Sequence, residues 1–357
     1  MKKITTIALV SLLSSFAYSQ VSYNQEFQVN TQGGFPIQPN ISNLTNNNFV
    51  VCWQSKNDGD WFGIFSQIFT ESGEKVGTEF QVNTYSVEGQ QNPDVIGLTN
   101  GRFVICWQGK SLWDYSTEIF AQIFKNDGSK IGGEFRVNTN ELNYQGKPSI
   151  GALNDGKFVI CWESNENTNT NGPFKIRCQI FNSEGSKIGN EIVVNPVTVY
   201  SNTQPKIDRL SNEGFVVAWR GDNNIFTQLF DVNGIKNGES FQVNTQMRSN
   251  QLYPSVSALL NDEFVIAWSS GSNLQKNIYA QKFFNNGSKK GMEFRVNSEN
   301  ENQHIFPQTS PLSDGQYVIA WTTGQYFTED NILQIYDNTD LKLGRELKIE
   351  GPADGIF

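Results

Sequence analysis

Residues 100–108 read NGRFVICWQ and residues 118–138 read EIFAQIFKNDGSKIGGEFRVN, and recognisable versions of this pair return along the whole 357-residue chain. Recurrence at a fixed period identifies a repeat architecture before any other feature does. Tryptophans at 53, 107, 162, 219, 268 and 321 mark six copies. Upstream of each stands a proline, at 39, 93, 148, 205, 254 and 307, which opens a short segment such as Pro93-Asp94-Val95-Ile96-Gly97-Leu98. Downstream comes an element centred on a glutamine, at 67, 122, 179, 228, 281 and 334. A fourth element such as Glu79-Phe80-Gln81-Val82-Asn83 ends each unit.

Every one of these segments is short, rich in Val, Ile, Phe and Trp, and bounded by Gly, Asn or Asp, so each reads as a strand. Side-chain parity orders the four. In the second, Phe103, Ile105 and Trp107 point one way and Val104 and Cys106 the other, which requires burial on both faces. The third tolerates one amide, Gln122, among apolar neighbours. The fourth keeps Phe135 and Val137 on one face and Glu134, Arg136 and Asn138 on the other, as an outer edge does. Four short strands per repeat, with burial falling outward, predict an all-β six-bladed β-propeller of four-stranded antiparallel blades. A seven-bladed ring is the alternative, but it lacks a seventh Trp element.

The recurring Trp is core on this reading, and truncation to Ala should cost about 3 to 5 kcal/mol. The recurring Gln reads as a buried amide satisfied by backbone groups. The fourth element occurs seven times, because residues 26–30 precede the first repeat and residues 346–350 close the last. One terminal copy should complete the final blade and the other should lie at an edge.

Composition narrows the partners. The formal charge is -9. A surface of that sign repels phosphate backbones and anionic lipid, which argues against nucleic acid. Residues 1–19 have the form of a secretory leader: Lys2 and Lys3, an apolar run from Ile4 to Phe16, then Ala17-Tyr18-Ser19. The run is shorter than the roughly 20 residues a span needs. The expectation is a signal peptide over 1–19 and a single propeller domain over 20–357, secreted, extracellular or at the cell surface, without membrane insertion.

The pattern Pro-x-Val-x-x-Leu-x-x-Gly-x-Phe-Val-Ile-x-Trp, then Ile-Phe-Ala-Gln-Ile-Phe, then Gly-x-Glu-Phe-x-Val-Asn resembles tandem repeats of secreted microbial surface proteins, and more distantly integrin-α-like propellers. The resemblance spans Glu26 to Glu350 and implies an adhesion-type role. The integrin-like calcium loop is not reproduced, since Asn57-Asp58-Gly59-Asp60 is incomplete, so the resemblance brings no metal and no cofactor.

In a four-stranded meander the first-to-second and third-to-fourth connections share one end, here as tight turns such as Asn154-Asp155-Gly156 and Asn126-Asp127-Gly128. The other end collects the longer connections, which are free to vary. Trp61, Phe62, Trp113, Tyr115, Tyr326 and Phe327 fall there, with Asp58, Asp60, Asp114, Glu329 and Asp330 beside them. Aromatics out of register among carboxylates suit a glycan or an extracellular protein ligand; a satellite cluster folded over the loop bases is the other reading. The expectation is therefore a non-enzymatic binding propeller, with a carbohydrate-active hydrolase or lyase as the alternative.

No catalytic residue can be singled out. A lone histidine, His304, in a blade-crossing connection reads as solvated and excludes His-rich metal sites. No sialidase-type Asp box occurs, because Gly101 and Trp107 stand six residues apart. Of the four cysteines, Cys52, Cys106 and Cys161 occupy a position filled by Ala218, Ala267 and Ala320 later, so they read as small core fillers. Cys161 with Cys178, inside one repeat, is the one pair left open to bridging. Asn40, Asn43 and Asn286 begin glycosylation sequons.

Overall fold

The structure is a computed structural model that describes residues 27–31, 33–58, 61–85, 88–110, 116–139, 144–165, 173–195, 202–245, 249–272, 275–299, 302–325 and 328–349. The leader-like first nineteen residues lie outside these. No helix among the described residues is long and apolar enough to cross a membrane.

The six repeats become six four-stranded meanders. The first contributes β1 (Ile37–Asn43), β2 (Phe49–Asp58), β3 (Trp61–Phe69) and β4 (Lys75–Gln81). The second holds β5 (Gln91–Leu98), β6 (Arg102–Lys110), β7 (Thr117–Lys125) and β8 (Lys130–Arg136). The third holds β9 (Tyr144–Ala152), β10 (Phe158–Asn165), β11 (Lys175–Phe181) and β12 (Lys187–Val193). Then come β13 (Asn202–Arg209), β14 (Phe215–Gly221), β15 (Asn224–Phe230) and β16 (Lys236–Gln242). The fifth repeat runs through β17 (Asn250–Leu259), β18 (Glu263–Gly271), β19 (Lys276–Phe284) and β20 (Lys289–Arg295). The sixth closes with β21 (Gln303–Pro311), β22 (Tyr317–Gln325), β23 (Thr328–Tyr336) and β24 (Lys342–Ile349).

The described residues form two compact units, Phe27–Pro205 and Lys206 onward. In the first unit a single parallel bridge, Thr117 to Tyr144, joins the second and third meanders. In the second unit Lys276 to Gln303 does the same for the fifth and sixth.

The same contacts recur in every sheet, which is why the sequence repeats. All six repeat tryptophans are at most 1 % exposed. Beside each, the first aromatic of the second strand stacks on the last aromatic of the third, as in Phe103 on Phe124 at 4.9 Å and Tyr317 on Tyr336 at 5.1 Å. The fourth-strand Phe then leans on the pair of the next repeat: Phe80 on Phe124, Phe135 on Phe181, Phe241 on Phe283 and Phe294 on Tyr336, each at 5.6 Å. The recurring Gln bridges its own strand to the fourth, with Gln122 Nε2 donating to the Ile123 and Ile131 carbonyls at 2.9 and 3.1 Å. The Asn that ends each of the first five repeats accepts an N–H from the start of the third strand, as Asn138 Oδ1 does from Ile119 at 2.9 Å. A fourth-strand Glu accepts the N–H of the residue after that Asn in the preceding repeat. Glu134 takes Thr84, Glu293 takes Thr245 and Glu346 takes Ser298, each at 2.6 Å, and Glu191 takes Thr139.

The terminal copies follow suit. β24 completes the last sheet from its own C-terminal end. Phe27 packs on Phe69 at 5.3 Å and Thr31 donates to Glu79 at 2.7 Å, so the N-terminal copy sits against the first repeat as successive repeats within a unit sit against one another.

Turns obey local chemistry. Gly128, at φ 88°, donates back to the Lys125 carbonyl and closes β7 to β8, a conformation Gly adopts without steric cost. Cys161 and Cys178 face one another across β10 and β11 and are bridged. Cys52 and Cys106 face Ser66 and Ala121 instead and stay as buried thiols.

Candidate functional site

The first strand of every repeat carries one anomaly. Its residue before the repeat proline is left-handed: Gln38, Asn92, Lys147, Gln204, Tyr253 and Phe306 have φ between 47° and 57°. The following Pro and the positive φ together make a bulge, seen as a register shift between Gln91 and Asp94. Bulges free an N–H from the ladder, and that donor must find an acceptor. In the first unit the residue after the preceding repeat's Trp supplies it. Asn92 N–H donates to Gln54 Oε1 at 2.7 Å, Lys147 N–H to Gln108 Oε1 at 3.2 Å, and Gln204 N–H to Glu163 Oε1 at 2.6 Å.

A neutral amide suffices twice, so the scaffold does not require the charge of Glu163. It is 2 % exposed and takes an ion pair from the Lys147 ammonium at 3.2 Å. Tyr144, at the start of β9, lies against this group; its hydroxyl reaches Gln108 Oε1 at 3.5 Å and its ring meets Phe174 edge-on at 5.4 Å. Burial first, then the Glu163 charge, push the Tyr144 hydroxyl up to about 12, so it keeps its proton at neutral pH. The Lys147 side chain is 46 % exposed and Tyr144 is half-buried, so these two reach solvent while Glu163 holds Lys147 and Gln108 and Phe174 hold Tyr144. Among the corresponding positions Tyr144 is alone in carrying a hydroxyl on a ring; the first two repeats have Phe35 and Gly89.

Beyond β6, at the same end, Trp61 opens β3 opposite Asp58 rather than lying in a long irregular connection. It is 52 % exposed, with Lys110 Nζ 5.8 Å from its ring centre. Lys110 in turn pairs with Glu88 at 2.5 Å. Phe62 is half-buried, and Lys56 Nζ lies 5.5 Å from its ring and 5.8 Å from that of exposed Phe35. The Phe62 carbonyl accepts the Gln90 N–H at 2.7 Å, which ties this hairpin to the second repeat. Trp113, Asp114, Tyr115, Asp60, Tyr326 and Phe327 lie outside the described residues, as do the side chains of Asp58 and Glu329. Glu329 and Asp330 belong to β23, in the second unit, where Asp330 pairs with Lys348 at 2.9 Å.

Two acidic side chains do matching structural work on first strands, one in each unit. Asp94 accepts the Val95 and Ile150 N–H groups at 3.0 and 3.1 Å; Asp208 accepts those of Arg209 and Ala258, each at 2.8 Å. Burial raises the Asp208 carboxyl to about 6, against the pull of the Ala258 and Arg209 donors and the Arg209 charge.

His304 corrects an expectation. It is 4 % exposed, on β21, and its Nδ1 accepts the Trp321 indole N–H at 3.1 Å. Gln90, Gln145 and Gln251 cap Trp107, Trp162 and Trp268 from the same distance of seventeen residues upstream, at 2.8 to 3.0 Å. The histidine is thus an indole cap in a slot that takes Gln in the second, third and fifth repeats, Pro36 in the first and Asn202 in the fourth. Burial holds its pKa below the usual imidazole value.

No family model and no curated protein sequence matches the chain. Among solved structures it is similar to the NanB sialidase from Streptococcus pneumoniae, with TM-score 0.59 at 8 % identity over 93 % of this chain and 70 % of that one. It is also similar to the GH93 α-L-arabinofuranosidase of Fusarium graminearum in complex with arabinobiose, with TM-score 0.57 at 11 % identity over 81 % and 88 %. A Penicillium chrysogenum α-L-arabinanase complexed with arabinobiose gives TM-score 0.55 at 15 % identity over 86 % and 94 %. At such identities the likeness is one of fold: all-β, with propeller-type sheets. It overturns the expectation of a non-enzymatic, adhesion-type binder, because the propeller structures this chain resembles are carbohydrate-active enzymes.

Proposed function

We propose that the chain is a carbohydrate-active enzyme, a hydrolase or lyase, that works where the second strands of the first three repeats end. One observation carries the reading: the third repeat places a charged pair, Lys147 and Glu163, beside a proton-holding phenol, Tyr144, where the other repeats of that unit use neutral amides. Tyr144 supplies a proton to a leaving oxygen, Lys147 a positive charge for developing negative charge, and Glu163 fixes Lys147. The comparison structures support the carbohydrate class. Export is part of the proposal, motivated by the leader-like first residues and by the Cys161–Cys178 bridge. So is closure of the six sheets into one six-bladed ring, motivated by their common pattern; solution scattering from an elongated two-lobed particle would overturn it.

The test is turnover of a polysaccharide panel, followed both by reducing ends and by the absorbance of unsaturated products, which separates hydrolysis from elimination. Tyr144→Phe should lower kcat by about 100-fold or more, the usual worth of a general acid, with melting unchanged because only a long hydrogen bond is lost. Glu163→Gln installs the residue that the first two repeats already carry, so it should fold, and it should lower kcat and displace the pH profile. Wild-type protein inert on every polymer, or full activity in Tyr144→Phe, would refute the reading.

A further inference from the structure

The exposed aromatic hairpin of the first repeat and the phenol of the third are connected by one strand, β6. Gln108 meets Tyr144 at 3.5 Å, and Lys110 sits 5.8 Å from the Trp61 ring centre. Residues two apart on a strand point to the same face, about 7 Å from one another. The two features therefore share one end of the first unit, with two long side chains and a strand step between them.

The hairpin is also built to hold its ring outward. The Lys110 ammonium covers one face of Trp61, and its Glu88 partner anchors that ammonium. A ring backed in this way offers its other face to solvent, where 52 % of the residue is exposed. The Phe62 carbonyl takes the Gln90 N–H, and Lys56 bridges the Phe62 and Phe35 rings on the opposite face of the strand. Lysine stands three residues after the core Trp in the first two repeats only; the later repeats have Asn165, Asp222, Gly271 and Gly324 there. The blade scaffold has no need of it.

From this we infer that the substrate is a chain of several sugars, and that Trp61 is the residue that selects for its length by stacking on a ring remote from the bond that Tyr144 addresses. The inference rests on the proposed glycan-cleaving role of that end. Binding energy gained at a remote ring lowers KM for polymers and leaves short substrates unaffected.

The experiment uses the full chain carrying Tyr144→Phe, so that polymers stay intact, in gels containing arabinan, xylan, polygalacturonate or dextran sulfate. Solution titrations with the matching di- and longer oligosaccharides accompany the gels. At least one polymer should retard the protein, and its disaccharide should bind at least tenfold more weakly. Trp61→Ala should fold with unchanged melting, reduce polymer affinity to the disaccharide level, and leave disaccharide binding as it was. In the active protein the same substitution should raise KM for the polymer with kcat retained. Absence of retardation by every polymer, equal affinity for disaccharide and polymer, or indifference to Trp61→Ala would each overturn the inference. Retardation sensitive to Trp61 without any turnover removes the enzymatic reading and keeps this one. Turnover of a disaccharide without length dependence does the reverse.

Discussion

The two units run on the same scaffold and depart from it at opposite ends. In the first unit the position after the core tryptophan reads Gln54, Gln108 and Glu163, and each takes the N–H of the next bulge. In the second the same position reads Arg220, Ser269 and Thr322. The departures of the second unit sit near the tight turns instead. Lys282 fills a slot that holds Ile123 or Ile180 in the first unit, yet it is 1 % exposed and pairs with Glu263 at 3.1 Å and Asp340 at 3.0 Å, with Tyr317 donating to Asp340 at 2.7 Å. In a tandem repeat, recurrence reports what the scaffold needs. A departure with its own partners reports something else: in the first unit Lys147 and Trp61 reach solvent, whereas Lys282 in the second is buried.

That contrast can be broken by measurement, and the largest expected effect concerns the bridge. Only the third repeat has cysteines facing across its second and third strands; the fifth has Ala267 opposite Ala280. Replacing Cys161 and Cys178 together by Ala should give the third repeat the same pair. It should cost about 3 kcal/mol in chemical denaturation, from the enlarged freedom of the unfolded chain. A negligible change would mean that the bridge does not stabilise the first unit.

A smaller effect distinguishes Asp208. Its carboxyl is raised from the ordinary value near 4 to about 6, so its contribution is fully present below about pH 4 and is lost as pH rises through 6. Asp208→Asn should flatten that part of the stability profile, and its amide can accept only one of the two N–H groups that the carboxylate takes. An unchanged slope between pH 4 and 6 would show that the group is not desolvated as its surroundings require.

His304 gives the smallest and opposite slope. Because burial favours the neutral ring, stability is present above the ordinary imidazole value and lost as pH falls below it. Glu346 and Glu299 oppose the shift and Arg295 reinforces it. His304→Gln, which restores the cap used at Trp107, Trp162 and Trp268, should remove that acid sensitivity, worth about 1 kcal/mol for the indole hydrogen bond. Retention of the acid limb would place its origin elsewhere.

Most of the scaffold was readable because each of its contacts is repeated: the Trp core, the amide that bridges third and fourth strands, and the exposed outer strand all follow from residue parity. The bridge was open to view once Cys161 and Cys178 were placed on facing strands. Trp61 was visible as an aromatic out of register, although it opens a strand rather than a loop. Tyr144, Lys147 and Glu163 carry no loop signature in the sequence, because they lie inside β9 and β10, Lys147 at the bulge. Aligning the repeats on Trp and asking which one breaks the Gln pattern would have found Glu163. His304 was misread for the same reason: counted back from Trp321 it falls in the slot of the Gln caps, but taken alone it looks like a surface residue. The left-handed residues before each proline could not have been read, since that bulge depends on neighbours from another repeat.

The clamp between a fourth-strand Glu and the N–H of the preceding repeat has a consequence for the history of such chains. Glu79, Glu134 and Glu191 in the first unit, and Glu293 and Glu346 in the second, grip a Thr or Ser through the same backbone group. Junctions of one chemistry make the parts interchangeable. Duplicating or deleting a copy between two such junctions regenerates one that is already solved, whereas the fourth repeat, with Ser240 at the Glu position and Pro196 after Asn195, stands outside that exchange.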